Sequence, residues 1–118
     1  MTQFTNREFA DKLANILKDF GLKNITIIDV SERNTLTDYF VLGTARNPSN
    51  AKASAEKLYE EMKKLEIFDD GTDGLREARW IVIDYFQVMV HIFTPEMREF
   101  YNLEKLWADP EDANVTRI

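Results

Sequence analysis

Apolar residues at Phe9, Leu13, Ile16, Leu17 and Phe20 recur at intervals of three and four, the period of one helical face. Thr5 precedes that stripe and Glu8 follows three positions later, the spacing of a capping box, while Gly21 offers the left-handed backbone that ends helices. The pattern then changes. "NITIIDV" and "DYFVLGTA" are rich in β-branched and aromatic residues and predict two strands, joined by the polar "SERNTLT". Asn47 and Pro48 open a second helix as cap and first-turn residue. Its inner side carries Ala51, Ala55, Leu58, Met62 and Leu65, and its outer side Lys52, Glu56, Glu60 and Lys63. Two more strands are expected in "WIVIDYFQVMVHIF", and a short helix at "TPEM", with Thr94 as cap and Pro95 in the first turn.

The order helix, two strands, helix, two strands, helix predicts an α/β domain with a mixed sheet packed against helices. The "GTARNPSNAK" link between a strand and a helix implies at least one right-handed crossover. "DDGTDG" reads as a mobile acidic loop, since it lacks the alternating ligands and closing Glu of a calcium loop. Residues 1–108 form the expected single domain, and "DPEDANVTRI", residues 109–118, a flexible tail.

The strand pair carries the candidate chemistry. A two-residue loop, Tyr85-Phe86 or Phe86-Gln87, places Trp80, Val82, Asp84, Met89, His91 and Phe93 on one face and Ile81, Ile83, Val88, Val90 and Ile92 on the other. The aliphatic face requires helices over it. The mixed face has the composition of an interface centre, where aromatics and Met are enriched, and equally of a second core layer that holds His91 by a hydrogen bond. His91 is the only histidine of the chain. A catalytic base needs a nucleophile or acid partner; Asp84 is positioned by sequence to orient His91, but no Ser or Cys nucleophile signature accompanies them.

Composition narrows the partners. The 118 residues contain no cysteine, so disulfide and thiolate chemistry are excluded, which suits a cytoplasmic protein. No apolar run reaches the roughly 20 residues of a membrane span, and "MTQFTNREFA" lacks a secretory pattern. Twenty-one acids against fifteen bases give a net charge of -6, without a Lys/Arg cluster for phosphates. DNA is therefore no expected partner and RNA at most a minor one; a basic protein is the natural complement.

"RWIVIDYFQVMVHIFTPEMREFYNLEKLW" resembles the signature region of the ribosomal silencing factors, the Iojap family. The matching positions are Trp80, Asp84, Tyr85, Val90, His91, Arg98, Tyr101, Leu103, Glu104, Leu106 and Trp107. Upstream, Asp29, Val30, Asp38, Tyr39, Phe40 and Val41 fill the family's second hallmark, so that the likeness runs from about Ala10 to Trp107. Phe86-Gln87 stands where the family usually has Gly-Asp, "GTARNPS" where it has Thr-Gly-x-Ser, and Asp73-Gly74 in place of Glu-Gly. The resemblance implies a non-enzymatic translation repressor of nucleotidyltransferase-like topology. It implies binding to protein fourteen of the large ribosomal subunit and a steric block to joining with the small subunit when nutrients are scarce. A part in large-subunit maturation and a homodimer in the free state are further implications, with no cofactor or metal required. Trp80, Asp84, Tyr85, Met89, His91, Phe93 and Arg98 are the expected partner-binding residues, Arg98 and Glu104 being equally suited to bracing the last helix.

The rival class is a nucleotidyltransferase-like enzyme. Such enzymes need a Gly-Ser turn and closely spaced carboxylates for metal-bound phosphates. "GTARN" lacks the Ser, and the Asp-x-Glu spacing falls at Asp109 and Glu111, in the expected tail.

Overall fold

The computed structural model describes residues 4–34 and 36–118. The first three positions of the N-terminal stretch and Thr35 of the polar connection lie outside the described residues. The elements are α1 (Asn6–Phe20), β1 (Lys23–Asp29), β2 (Tyr39–Thr44), α2 (Pro48–Lys64), β3 (Gly71–Asp73), β4 (Trp80–Asp84), β5 (Val88–Phe93), α3 (Pro95–Tyr101), α4 (Leu103–Trp107) and β6 (Val115–Arg117). The six strands form one sheet in the order β3-β4-β5-β2-β1-β6. Among the described residues the central β2–β5 pair alone runs parallel and the other pairs are antiparallel, so the sheet is mixed as the element order predicts.

Local chemistry sets the helix ends. The Glu8 amide donates to Thr5 Oγ1 at 3.1 Å and the Thr5 amide to Glu8 Oε1 at 2.9 Å, completing the reciprocal cap. Gly21 closes α1 at φ 105°, where a side chain would be strained. Asn47 Oδ1 accepts from the Asn50 amide at 2.8 Å at the start of α2. Thr94 occupies the cap position of α3 but makes no side-chain cap; its hydroxyl donates instead to the Arg79 carbonyl at 3.4 Å.

Alternation along the strands produces two cores. Ile27, Val41, Ile81, Ile83, Val90 and Ile92 point to the side covered by α1 and α2, where Leu13, Leu17, Leu58 and Met62 are fully buried. Gly43 lets α1 approach, because a Cβ there would sit 3.3 Å from Leu17 Cδ1 and closer still to Leu22 and Ile25. The other side holds Ile28, Phe40, Leu42 and Phe93 beneath Leu103, Met97 and Trp107 of the α3–α4 pair. The result is a three-layer domain with the smaller core on the hairpin's mixed face.

Two segments differ from their sequence reading. The acidic loop contributes β3, which pairs with β4 through Gly71↔Asp84, Thr72↔Ile83 and Asp73↔Val82. Turn residues disguise a strand of three positions, too short to display alternation. The expected flexible tail instead turns back as β6, pairing Ile28↔Val115, Ile27↔Thr116 and Thr26↔Arg117. Asn114 holds the return, donating to the carbonyls of Asp29 at 2.8 Å and Trp107 at 2.9 Å. A polar sequence can complete a sheet edge by backbone hydrogen bonds, which carry no hydrophobic signature.

Candidate functional site: the aromatic face of the hairpin

The β4–β5 hairpin has the two-residue loop Phe86-Gln87. Trp80 pairs with Phe93, Val82 with His91 and Asp84 with Met89, and the Tyr85 amide donates to the Val88 carbonyl at 2.9 Å. The face assignment follows the alternation read from the sequence. Phe86 adopts φ 71°, a conformation that favours Gly, and the turn is held by the Asp84 carboxylate, which accepts from the Phe86 amide at 2.7 Å. Asp84 therefore caps a turn; it makes no hydrogen bond to His91.

His91 lies inside the small core, 5% exposed. Trp80 Nε1 donates to its Nδ1 at 3.1 Å, which puts the neutral ring's proton on Nε2. Nε2 is buried without a partner among the described residues, and the ring has aromatic neighbours in Phe40, edge-on at 4.8 Å between centroids, and Phe93, stacked at 6.1 Å. Burial, and secondarily the positive charge of Arg98, push the imidazole down to about 4. A ring with its acceptor nitrogen occupied and its N–H buried is poorly placed to take a substrate proton. Of the two readings of this face, the second core layer is the one that holds His91 and Phe93.

The depressed pKa has a consequence for stability. Between about pH 6.5 and 4 the unfolded chain binds a proton at His91 that the folded chain refuses. Stability is full above the unfolded pKa and falls as pH drops through this window. Urea midpoints measured across pH 4–7 are expected to show that slope in the parent chain and a flatter one in His91→Gln.

Arg98 is also inward. Its side chain bridges α3 to both β1 and β2, donating from Nη1 to Thr44 Oγ1 at 3.0 Å and from Nη2 to Thr26 Oγ1 at 3.0 Å. Nε donates to Glu104 Oε1 at 3.1 Å, so one guanidinium joins two strands to both short helices. Here the brace, rather than a surface contact, is what the side chain makes. Tyr85 belongs to the opposite core, edge-on to Phe9 at 5.8 Å, with its hydroxyl buried and unpartnered and its pKa raised mainly by burial.

Thus, of the seven residues expected to meet a partner, Tyr85, His91, Phe93 and Arg98 are buried, whereas Trp80, Asp84 and Met89 are half-buried. At the hairpin's turn Phe86 is 54% exposed, and the short helices add further apolar side chains that reach solvent. Tyr101 packs on Trp80 at 4.5 Å between ring centroids, Phe100 stands edge-on to Tyr101 at 5.0 Å, and Phe100 and Leu106 are 77% and 67% exposed. Phe93 lies beneath Trp80 at 5.1 Å and nearly parallel to it, so a buried ring supports the half-buried one and that in turn supports Tyr101. The aromatic run "EFYNLEKLW" contained this signal, but a sequence-level period cannot tell the covered from the uncovered side of a helix this short.

The Asp-x-Glu pair takes no catalytic arrangement. Asp109 is ion-paired with Arg33, and Glu111 lies in a turn at φ 59°. No helix among the described residues is long and apolar enough to cross a membrane.

The family model described as "Ribosomal silencing factor during starvation" matches residues 3–118. A protein of Zymomonas mobilis named ribosomal silencing factor RsfS is 29% identical over 118 residues, covering 98% of this chain and 89% of its own. Its counterpart in Haemophilus influenzae is 39% identical over 90 residues, 75% of this chain and 88% of its own. A mouse protein named mitochondrial assembly of ribosomal large subunit protein 1 is 31% identical over 100 residues, 82% of this chain but 44% of its own. Among solved structures, a Chromobacterium violaceum protein superposes with a TM-score of 0.82 at 28% identity, over 88% of this chain and 87% of its own.

Proposed function

Because the chain belongs to the ribosomal silencing factor family, we propose that it represses translation by occupying the large ribosomal subunit and keeping the small subunit from joining. The observation that carries this reading is the ladder Phe93–Trp80–Tyr101–Phe100, which begins in the core and ends in solvent. Rigidly supported aromatics that emerge from a packed base are the usual anchors of protein interfaces. The net charge of -6 favours a basic partner, and the proposed contact is protein fourteen of the large subunit. The relatives are named for silencing and for large-subunit assembly, which are regulatory roles rather than enzymatic ones. The same surface favours a homodimer when the chain is free, since monomers seldom leave such aromatic area uncovered. The setting proposed is the cytoplasm, with a further part in large-subunit maturation.

Sedimentation with purified subunits tests the reading. The chain is expected to pellet with free large subunits and to be absent from small subunits and from joined ribosomes. Raising salt from low to physiological ionic strength is expected to slow association, because charge steering of an acidic chain toward a basic surface is screened. Equal pelleting with both subunits, or an association rate indifferent to salt, would contradict it.

A further inference from the structure

We propose that the cavity beside the α3–α4 junction is a binding site for a small molecule that carries a carboxylate or phosphate group, received by Arg98 and Thr44. The cavity measures about 580 Å³ and is lined by Asn24, Thr44, Arg98, Glu99, Asn102 and Arg117, among others. That volume falls in the range of small-molecule sites. Its place in the fold is also that of a ligand site. The parallel strands β2 and β5 end here, at Thr44 and just before Pro95, and α/β sheets receive ligands outside the carboxyl ends of their parallel strands.

The floor has more donors than it uses. A guanidinium has five N–H groups, and Arg98 directs three of them to Thr26, Thr44 and Glu104. Both threonine oxygens already accept from Arg98. Thr26 turns its own proton to the Asn24 carbonyl at 3.3 Å, whereas the Thr44 hydroxyl makes no such donation. Two guanidinium hydrogens and one hydroxyl hydrogen are therefore uncommitted among the described residues, on two side chains that line the cavity, Arg98 being 8% exposed. An oxyanion accepts from several such donors at once, and donors held by a packed network lose little freedom on binding.

Glu104 does not cancel the charge of Arg98. It lines the cavity too, but it accepts only from Nε and leaves both Nη groups of Arg98 to other partners. Arg117 adds a second guanidinium at the rim, shared with Asp112 at 3.1 Å. Glu99, also on the rim, opposes a pure polyanion and favours a ligand whose remaining groups are hydrogen-bond donors or an amine. The site stands apart from the ribosomal reading and does not depend on it.

The test is an amide-resolved NMR titration of the full chain with inorganic phosphate and, separately, acetate, each at constant ionic strength set by sodium chloride. Saturable shifts centred on Thr44, Arg98 and Asn102 are expected, from one or both ions; which of them binds identifies the group. Arg117→Gln, at an exposed side chain, and Thr44→Val, which keeps the Arg98 contacts to Thr26 and Glu104, are each expected to weaken binding about tenfold, the worth of one charge-assisted hydrogen bond. No saturable shift with either ion, shifts centred elsewhere, or unchanged affinity in both folded variants would overturn the proposal.

Discussion

Ile83→Ala is expected to lose about 2–5 kcal/mol of folding stability while still binding once folded. Ile83 is fully buried, faces α1 and α2, and pairs across the hairpin with Val90, which is also fully buried. Truncation removes three methyl or methylene carbons and leaves a cavity that a close-packed layer cannot collapse around. For a domain of this size the loss corresponds to a fall of roughly 8–20 °C in melting temperature, at about 4 °C per kcal/mol. Since Ile83 points away from Trp80 and Tyr101, pelleting with large subunits well below the melting point is expected to match the parent. A melt shifted by less than about 3 °C would show that this layer is not the main core.

Trp80→Ala is expected to fail in both respects. Its ring stacks between Phe93 and Tyr101, and its N–H is the hydrogen-bond donor to buried His91. Removal therefore orphans Nδ1, at about 1–3 kcal/mol for an unpaired buried polar atom, and takes apolar area from the small core. The aliphatic layer under α1 and α2 is expected to be spared, since Trp80 packs in the small core on the other side of the sheet. Binding is expected to weaken roughly thirtyfold or more, the effect of losing a central anchor of about 2 kcal/mol. Trp80→Phe separates the two effects. It retains a ring over Phe93 but loses the N–H, so denaturant melts should report the lost hydrogen bond while large-subunit pelleting is largely kept.

The fold was legible wherever a period of two or of 3.6 ran for five residues or more. Thr5 with Glu8, Asn47 with Pro48, and the alternation from Trp80 to Phe93 each state their structure through side-chain chemistry, and the structure follows them. β3 and β6 were illegible for the opposite reason. Each is three residues long and is held by backbone bonds to a neighbour that local sequence does not identify. The site divided along the same line. The hairpin's faces could be assigned, but whether a mixed face is covered depends on where α3 and α4 lie. That is a tertiary fact, and it withdrew His91, Phe93 and Arg98 into the interior while Phe100, Tyr101 and Leu106 took their place at the surface.

Subunit association followed by light scattering tests most directly whether the exposed end of the aromatic ladder blocks joining by occupancy. The parent chain is expected to abolish joining at about one copy per large subunit. A Phe100→Ala/Tyr101→Ala double variant, which removes surface rings and should melt close to the parent, is expected to leave joining intact. A folded double variant that blocks joining as well as the parent, or a parent chain that silences a large excess of subunits, would contradict the account.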